Sequence, residues 1–129
     1  MLLTVLMLLL GILIGGCGGA DQSPGGDIAA GQELFNQTVI DSNPGCVTCH
    51  SLEADVVIVG PSLAAWSDEA GAEGEDYGMS ADEFTRQSIL DPNAVLVEGY
   101  PADTMPTNWE EVLTTEQLDD LVAYLLSLE

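Results

Sequence analysis

The sequence Cys46-Val47-Thr48-Cys49-His50 carries the strongest signal in this chain, because it sets two thiols and an imidazole side by side. A Cys-x-x-Cys-His run is typical of covalent c-type haem attachment. One short turn presents both thiols to the two vinyl groups of a haem, and the adjacent histidine then falls beneath the iron as its proximal ligand. The run therefore predicts one covalent haem c, bound by Cys46, Cys49 and His50.

Other uses of this run agree less well with the rest of the sequence. A structural zinc site needs four Cys or His ligands, and the folded region has no Cys or His beyond these three. A thioredoxin-like redox pair belongs to a βαβ setting, which the sequence does not indicate. A plain disulfide between Cys46 and Cys49 leaves His50 without a role.

The second axial ligand of the iron follows from what the chain lacks. His50 is the single histidine and there is no lysine, so methionine is the remaining common strong ligand. Met79 and Met105 are the candidates outside the N-terminal segment. Met105 precedes Pro106, which stiffens its loop, whereas Met79 lies in an acidic segment just before a helix start. We therefore predict His50 and Met105 as the metal ligands, with a packing role as the alternative for either methionine.

The N-terminus is interpreted as an export signal. Residues 1–16 are apolar and uncharged, and they are fewer than the roughly 20 residues that a spanning helix needs, which is typical of a signal peptide. The segment Ile14-Gly15-Gly16-Cys17 resembles a bacterial lipobox, so Cys17 is the expected lipidation site. An uncleaved signal anchor is the alternative. Residues 17–26 are rich in Gly, with one Ser and one Pro, and predict a lipidated flexible tether. The predicted location is an exported, bacterial membrane-anchored lipoprotein that faces the periplasm or the cell exterior.

Charge limits the range of partners. The 129-residue chain has one Lys or Arg against 22 Asp and Glu, for a net charge of −21. Nucleic acid and anionic lipid are poor partners, because both attract Lys and Arg. The acidity is complementary to a basic docking face on a redox protein, or else it reflects adaptation to high salt.

The remaining 27–129 segment predicts one all-α domain with three main helices. The first helix covers about residues 27–39. The second starts at Ser80 and stops at Leu90, and the third starts at Thr114; both start with a capping box. Long loops, 40–62 and 91–113, are expected to wrap the haem. The acidic segment 68–83 is expected to be a solvated loop.

The whole region 27–129 resembles class I (mitochondrial-type) cytochrome c, especially small bacterial members and oxidase-associated cytochrome c domains. The resemblance implies an all-α fold in which Gly31 and Phe35 cross Tyr124 and Leu121. It rests on these segments: Cys46-Val47-Thr48-Cys49-His50, Gly60-Pro61, Ser88-Ile89-Leu90-Asp91-Pro92-Asn93-Ala94, Gly99-Tyr100-Pro101, Met105-Pro106 and Leu121-Val122-Ala123-Tyr124-Leu125.

The same resemblance assigns roles around the haem. It implies that the Pro61 carbonyl accepts the Nδ1 proton of His50, which would fix the ring and tune the metal. Tyr100 and Trp109 are expected to contact the haem or its propionates, with core packing as the alternative. Docking through lysines around the haem edge, seen in many relatives, is impossible in a chain without lysine.

These observations predict an electron carrier and not an enzyme. A six-coordinate iron has no place for a substrate, so the expected role is single-electron transport between respiratory redox proteins, with a terminal oxidase as the acceptor that the resemblance suggests. A fixed electron-entry subunit of a larger complex is an alternative. A gas-binding or sensing haem protein with an open sixth site is another, and Met105 argues against it.

Overall fold

A computed structural model describes residues 25–129. The predicted signal segment and Cys17 lie outside this range. The described chain contains five α-helices, one 3-10 turn and two short strands. They are α1 (Ile28–Phe35), β1 (Val39–Ile40), β2 (Asn43–Pro44), the 3-10 turn (Cys46–Thr48), α2 (Trp66–Tyr77), α3 (Ala81–Leu90), α4 (Trp109–Val112) and α5 (Thr115–Leu125). Within residues 25–129, no helix has the length and apolarity needed to cross a membrane.

The first and last helices cross at close range. Gly31 makes this possible, because a Cβ at that position would overlap the backbone carbonyl of Asp120 in α5. One turn further on, the rings of Phe35 and Tyr124 pack with centroids 5.6 Å apart. At the start of α1, the backbone N–H of Asp27 donates to Oδ1 of Asp120 at 2.7 Å. The predicted crossing of Gly31 and Phe35 with the last helix is therefore confirmed.

The first helix is shorter than the predicted 27–39. It ends at Phe35, and the Asn36 side-chain amide donates to the carbonyl of Gln32 at 2.9 Å. Val39 leaves the helical face altogether, because it pairs with Pro44 in a small antiparallel ladder. The apolar spacing that suggested a longer helix ends in a residue of strand β1, which is mostly exposed.

The prediction of a solvated acidic loop over residues 68–83 is wrong. Most of this segment belongs to α2, which packs on α3 through a hydrogen bond from Trp66 Nε1 to Thr85 Oγ1 at 2.9 Å. The helix stops at Gly78, whose φ of 71° reverses the chain, and the N–H of Met79 donates to Gly74 at 2.8 Å. Helix α2 has no side-chain N-cap, since Ala65 stands at its start, so the usual start signal is missing.

The other two predicted helix starts are confirmed. Ser80 and Thr114 cap α3 and α5, and each forms the reciprocal pair of hydrogen bonds of a capping box. The short helix α4 lies inside the segment 91–113 that was expected to be a loop. Five helices therefore replace the three main helices of the sequence-based prediction, while the all-α class is confirmed.

Candidate functional site

The site begins at a tight turn that holds both thiols of the Cys-x-x-Cys-His run. The 3-10 turn is closed by hydrogen bonds from the N–H groups of Cys49 and His50 to the carbonyl of Cys46, at 3.1 and 2.9 Å. The Thr48 hydroxyl donates to the Gly45 carbonyl at 2.6 Å and braces the turn from inside. Burial raises the pKa of the Cys46 thiol to about 11, with a smaller contribution from the neighbouring Cys49. The thiol is therefore neutral at ordinary pH.

Gly60 and Pro61 fix the orientation of the His50 imidazole. Its Nδ1 lies 2.8 Å from the carbonyl oxygen of Pro61, which accepts a proton from that nitrogen in the corresponding tautomer. Gly60 lets the chain pass close to the ring, because a Cβ there would come within 2.6 Å of His50 Cε1. Burial lowers the pKa of His50, although the bond to Pro61 opposes the shift. A neutral ring with Nδ1 bonded leaves the Nε2 lone pair free for a metal.

A cavity of about 470 Å³ opens beside this histidine. This volume falls within the range of about 300–1,000 Å³ that is usual for small-molecule and cofactor pockets. The cavity lies at the meeting point of α1, α2, α3, α4 and α5, and its walls are mainly aliphatic and aromatic. Phe35, Leu63, Trp66, Ile89, Leu121 and Leu125 contribute to these walls. The fold thus surrounds the cavity with its own core residues.

The predicted site residues of the domain converge on this cavity. Cys46, Cys49, His50, Pro61, Tyr100 and Met105 all line it. Met79 does not line it; this side chain packs instead, half-buried, against the core. Cys17, the predicted lipidation site, lies outside the described residues.

One buried polar atom indicates what kind of group the cavity suits. Trp109 also lines the cavity, and its indole N–H has no hydrogen-bond partner among residues 25–129. A buried N–H without an acceptor is costly, about 1–3 kcal/mol, so a partner on the bound group is expected. The cavity thus offers apolar walls, two thiols and an N–H donor, and a haem has a group for each of them. Its ring is apolar, its vinyl groups react with thiols and its carboxylates accept hydrogen bonds. The residues present therefore fit a haem.

Helix α2 forms a wall of the cavity that was not predicted from the sequence. Trp66, Glu69, Glu73 and Tyr77 share a face of α2 and line the site. Burial and the neighbouring Glu73 raise the pKa of Glu69. The sequence does contain an indication of this helix, because apolar and small residues recur at helical spacing at positions 66, 70, 74 and 77, among the carboxylates. The density of acidic residues concealed it.

A helical fold around an apolar cavity, with two thiols and a histidine on one wall, defines a covalent haem protein. The chain matches the profile of the family described as Cytochrome c over residues 28–129, and it belongs to that family. It is thus a class I cytochrome c-type domain that binds covalent haem c and acts in haem-based electron transfer. No curated protein matches the chain.

Proposed function

We propose that this protein is a lipid-anchored monohaem cytochrome c that carries single electrons between membrane redox proteins, with its iron ligated by His50 and Met105. The observation that carries the proposal is the shared cavity. Cys46, Cys49, His50 and Met105 all border it, whereas Met79 does not. A terminal oxidase is the proposed acceptor.

The choice of ligands rests on chemistry as well as on position. His50 presents a neutral ring held through Nδ1, which suits it to bind iron through Nε2. Met105 stands immediately before Pro106 in a segment without a helix until Trp109. The fixed φ of proline restrains that segment, so the thioether is presented with little loss of conformational entropy.

Two axial ligands from the protein direct the site toward electron transfer. The bound haem supplies a one-electron iron couple, and a methionine ligand raises its reduction potential. The mainly apolar walls would limit the access of water to the bound group, and the Trp109 N–H would be available to a carboxylate of the haem. With His50 and Met105 both bound to the iron, no coordination position would remain for a substrate or a gas.

The membrane attachment rests on residues outside the described range. The uncharged apolar segment before Cys17 supports export and lipidation of that cysteine. The Gly-rich stretch that follows supports a flexible connection between anchor and domain. Such a connection favours a carrier that reaches more than one partner over a subunit fixed to one complex.

The first test is the absorption spectrum of the haem-loaded protein and of Met105→Ala. We expect low-spin haem c in the wild type, with the far-red band of a methionine–iron bond in the oxidised form. The band should disappear in Met105→Ala, because no other methionine of residues 25–129 borders the cavity.

Met79→Ala is the matched control, since Met79 is the other methionine of residues 27–129. This variant should keep the band. A wild type that is high-spin and binds carbon monoxide readily would contradict the proposal and support the gas-binding alternative. Loss of the band in Met79→Ala alone would move the axial ligand to that residue.

A further inference from the structure

The loop that follows the haem-attachment turn exposes an apolar surface, which we call the 52–58 patch. It consists of four aliphatic side chains that are 37–60% exposed: Leu52, Val56, Val57 and Ile58. None of the four lines the haem cavity, so a bound haem does not account for them. Contiguous exposed apolar residues of this kind usually mark an interaction site.

The loop that carries the patch is held in a defined shape. At its base, the N–H groups of Val59 and Gly60 both donate to the carbonyl of Cys49, at 3.1 and 2.9 Å. At its middle, the carbonyl of Glu53 accepts from the N–H of Val56 at 3.2 Å and from the Ser62 hydroxyl at 2.8 Å.

Order in the loop favours binding. Three of the four patch side chains are β-branched and therefore stiff. A preorganised surface of stiff side chains loses little entropy on contact with a partner. The patch is thus suited to a fast, weak encounter.

The position of the loop gives this surface a role. The loop starts at His50 and returns to the carbonyl of Cys49, and both residues belong to the Cys-x-x-Cys-His run that is expected to bind the haem. A partner that covers the patch therefore lies beside the haem-attachment turn, where the path for an electron is short.

Charge selects the kind of partner. Glu53 and Asp55 are exposed on the same loop, and the whole chain carries a charge of −21. A second copy of this chain and an anionic lipid surface are both repelled by that charge. A protein face with an apolar centre and a rim of basic residues is complementary both to the apolar patch and to the acidic charge around it.

We propose that the 52–58 patch is the docking surface for the redox partner, and that the partner presents an apolar face rimmed with Lys and Arg. The proposal rests on the proposed electron-carrier function and specifies its partner. Apolar contact supplies the affinity of the encounter, and the acidic residues around it supply steering.

The test measures oxidation of the reduced, haem-loaded full-length chain by native membranes of the source organism from which the chain has been removed. Val57→Ser/Ile58→Ser should lower the second-order rate about tenfold, which corresponds to about 1.4 kcal/mol. Because apolar contact is not screened by ions, the loss should persist at high salt.

Val39→Ser/Ile28→Ser is the matched control. Its two side chains have the same chemistry, and their exposures of 60% and 49% match the 60% and 51% of Val57 and Ile58. This variant should keep the wild-type rate. An equal loss in both variants, or no loss in either, would overturn the proposal.

Two further measurements distinguish this proposal from its alternatives. Ferricyanide, a small inorganic oxidant, should oxidise both serine variants at the wild-type rate, so failure of the carrier function itself would be recognised by a loss of that reaction. The amount of chain that sediments with the membranes should also be unchanged. Release of Val57→Ser/Ile58→Ser from membranes would instead assign the patch to lipid and would refute partner docking.

The acidic residues of the loop are tested by Glu53→Gln/Asp55→Asn. Asparagine tolerates the left-handed backbone of Asp55, whose φ is 62°. The rate should depend less steeply on ionic strength in this variant than in the wild type. An unchanged slope would exclude these two carboxylates from steering and would refute the basic rim of the partner.

Discussion

His50 is held by two adjacent residues that act in different ways. Pro61 contributes a backbone carbonyl 2.8 Å from Nδ1, which selects the tautomer. Gly60 leaves room for the ring because it has no side chain, and any Cβ there would press on the imidazole. The Gly-Pro pair thus controls both the protonation and the tilt of the imidazole. Small changes at position 60 should therefore be transmitted to the iron.

Gly60→Ala should disturb the haem spectrum more than it disturbs the fold. The new Cβ would come within 2.6 Å of His50 Cε1, so the ring must tilt, which would weaken the proposed bond between His50 and the iron. We expect partial conversion from low-spin to high-spin haem, measured by absorption of the oxidised protein.

Gly71→Ala is the control for this change. Gly71 lies inside α2 and its Cβ would meet nothing within 4 Å. Alanine should therefore leave the spectrum unchanged and stabilise the helix by about 0.5–1 kcal/mol. A low-spin spectrum in Gly60→Ala would show that the loop can yield and that Gly60 does not position the ring.

Helices α3 and α5 both begin with a capping box, which contains a carboxylate in α3 and an amide in α5. The N–H of Ser80 donates to the carboxylate of Glu83 at 2.8 Å. The N–H of Thr114 donates to the amide oxygen of Gln117 at 2.9 Å. The hydrogen bonds with Ser80 lower the pKa of Glu83. Only the first box therefore contains a group that titrates.

Ser80→Ala and Thr114→Ala should each cost about 1 kcal/mol of unfolding free energy at neutral pH. The two should differ in acid. Because the pKa of Glu83 lies below its ordinary value of 4.5 in the folded state, its contribution is present above that pH and is lost as the pH falls through the lowered pKa. The cost of Ser80→Ala should shrink in acid, while that of Thr114→Ala stays constant. Urea unfolding at neutral and acidic pH measures both, and parallel curves would contradict the assignment.

The helices that were predictable from sequence are those with a chemical start signal. Asp27, Ser80 and Thr114 each cap a helix with a side chain, and all three helices were predicted near these residues. Helix α2 starts after Ala65 in a left-handed conformation, so it has no capping residue that would mark its start in the sequence. Its remaining local signal is the helical spacing of apolar and small residues at 66, 70, 74 and 77, which is weak among so many carboxylates.

The site was more predictable than the helices around it. The two thiols and His50 are adjacent in sequence, so their proximity follows from chain geometry alone. Tyr100 and Met105 border the same cavity as His50, and this convergence depends on the whole fold. The α2 wall with Glu69 and Glu73 required knowledge that the acidic segment is helical. Ligation by Met105 stays a prediction until the spectrum is measured.

The whole molecule is dominated by a single sign of charge. Its one cationic residue of the Lys/Arg type, Arg86, is engaged by carboxylates from two helices. Nε donates to Asp82 and Nη1 donates to Asp119, both at 2.7 Å. This arrangement ties α3 to α5, but it relieves little of the total repulsion. The remaining carboxylates repel one another across the surface.

Added salt should therefore stabilise the fold. Raising the ionic strength from about 0.01 M to about 0.15 M shortens the Debye length from about 30 Å to about 8 Å, which screens repulsion across the domain. We expect the melting temperature of the haem-loaded protein to rise, measured by circular dichroism.

The same titration at about pH 4 is the control, because Asp and Glu begin to protonate there and the charge falls. The salt effect should then be smaller. An equal effect at both pH values would show that the salt acts through something other than carboxylate repulsion.

The cavity at the meeting point of the five helices has a consequence for the biogenesis of the protein. Without a haem, the mainly apolar walls of this cavity of about 470 Å³ face water, which costs free energy in proportion to the apolar area exposed. A domain of this size has a total stability of roughly 5–15 kcal/mol. A chain that has not received its haem should consequently stay loose, open to the attachment machinery and open to proteases. Haem attachment then acts as a quality check, because only chains able to conduct an electron would escape proteolysis and accumulate.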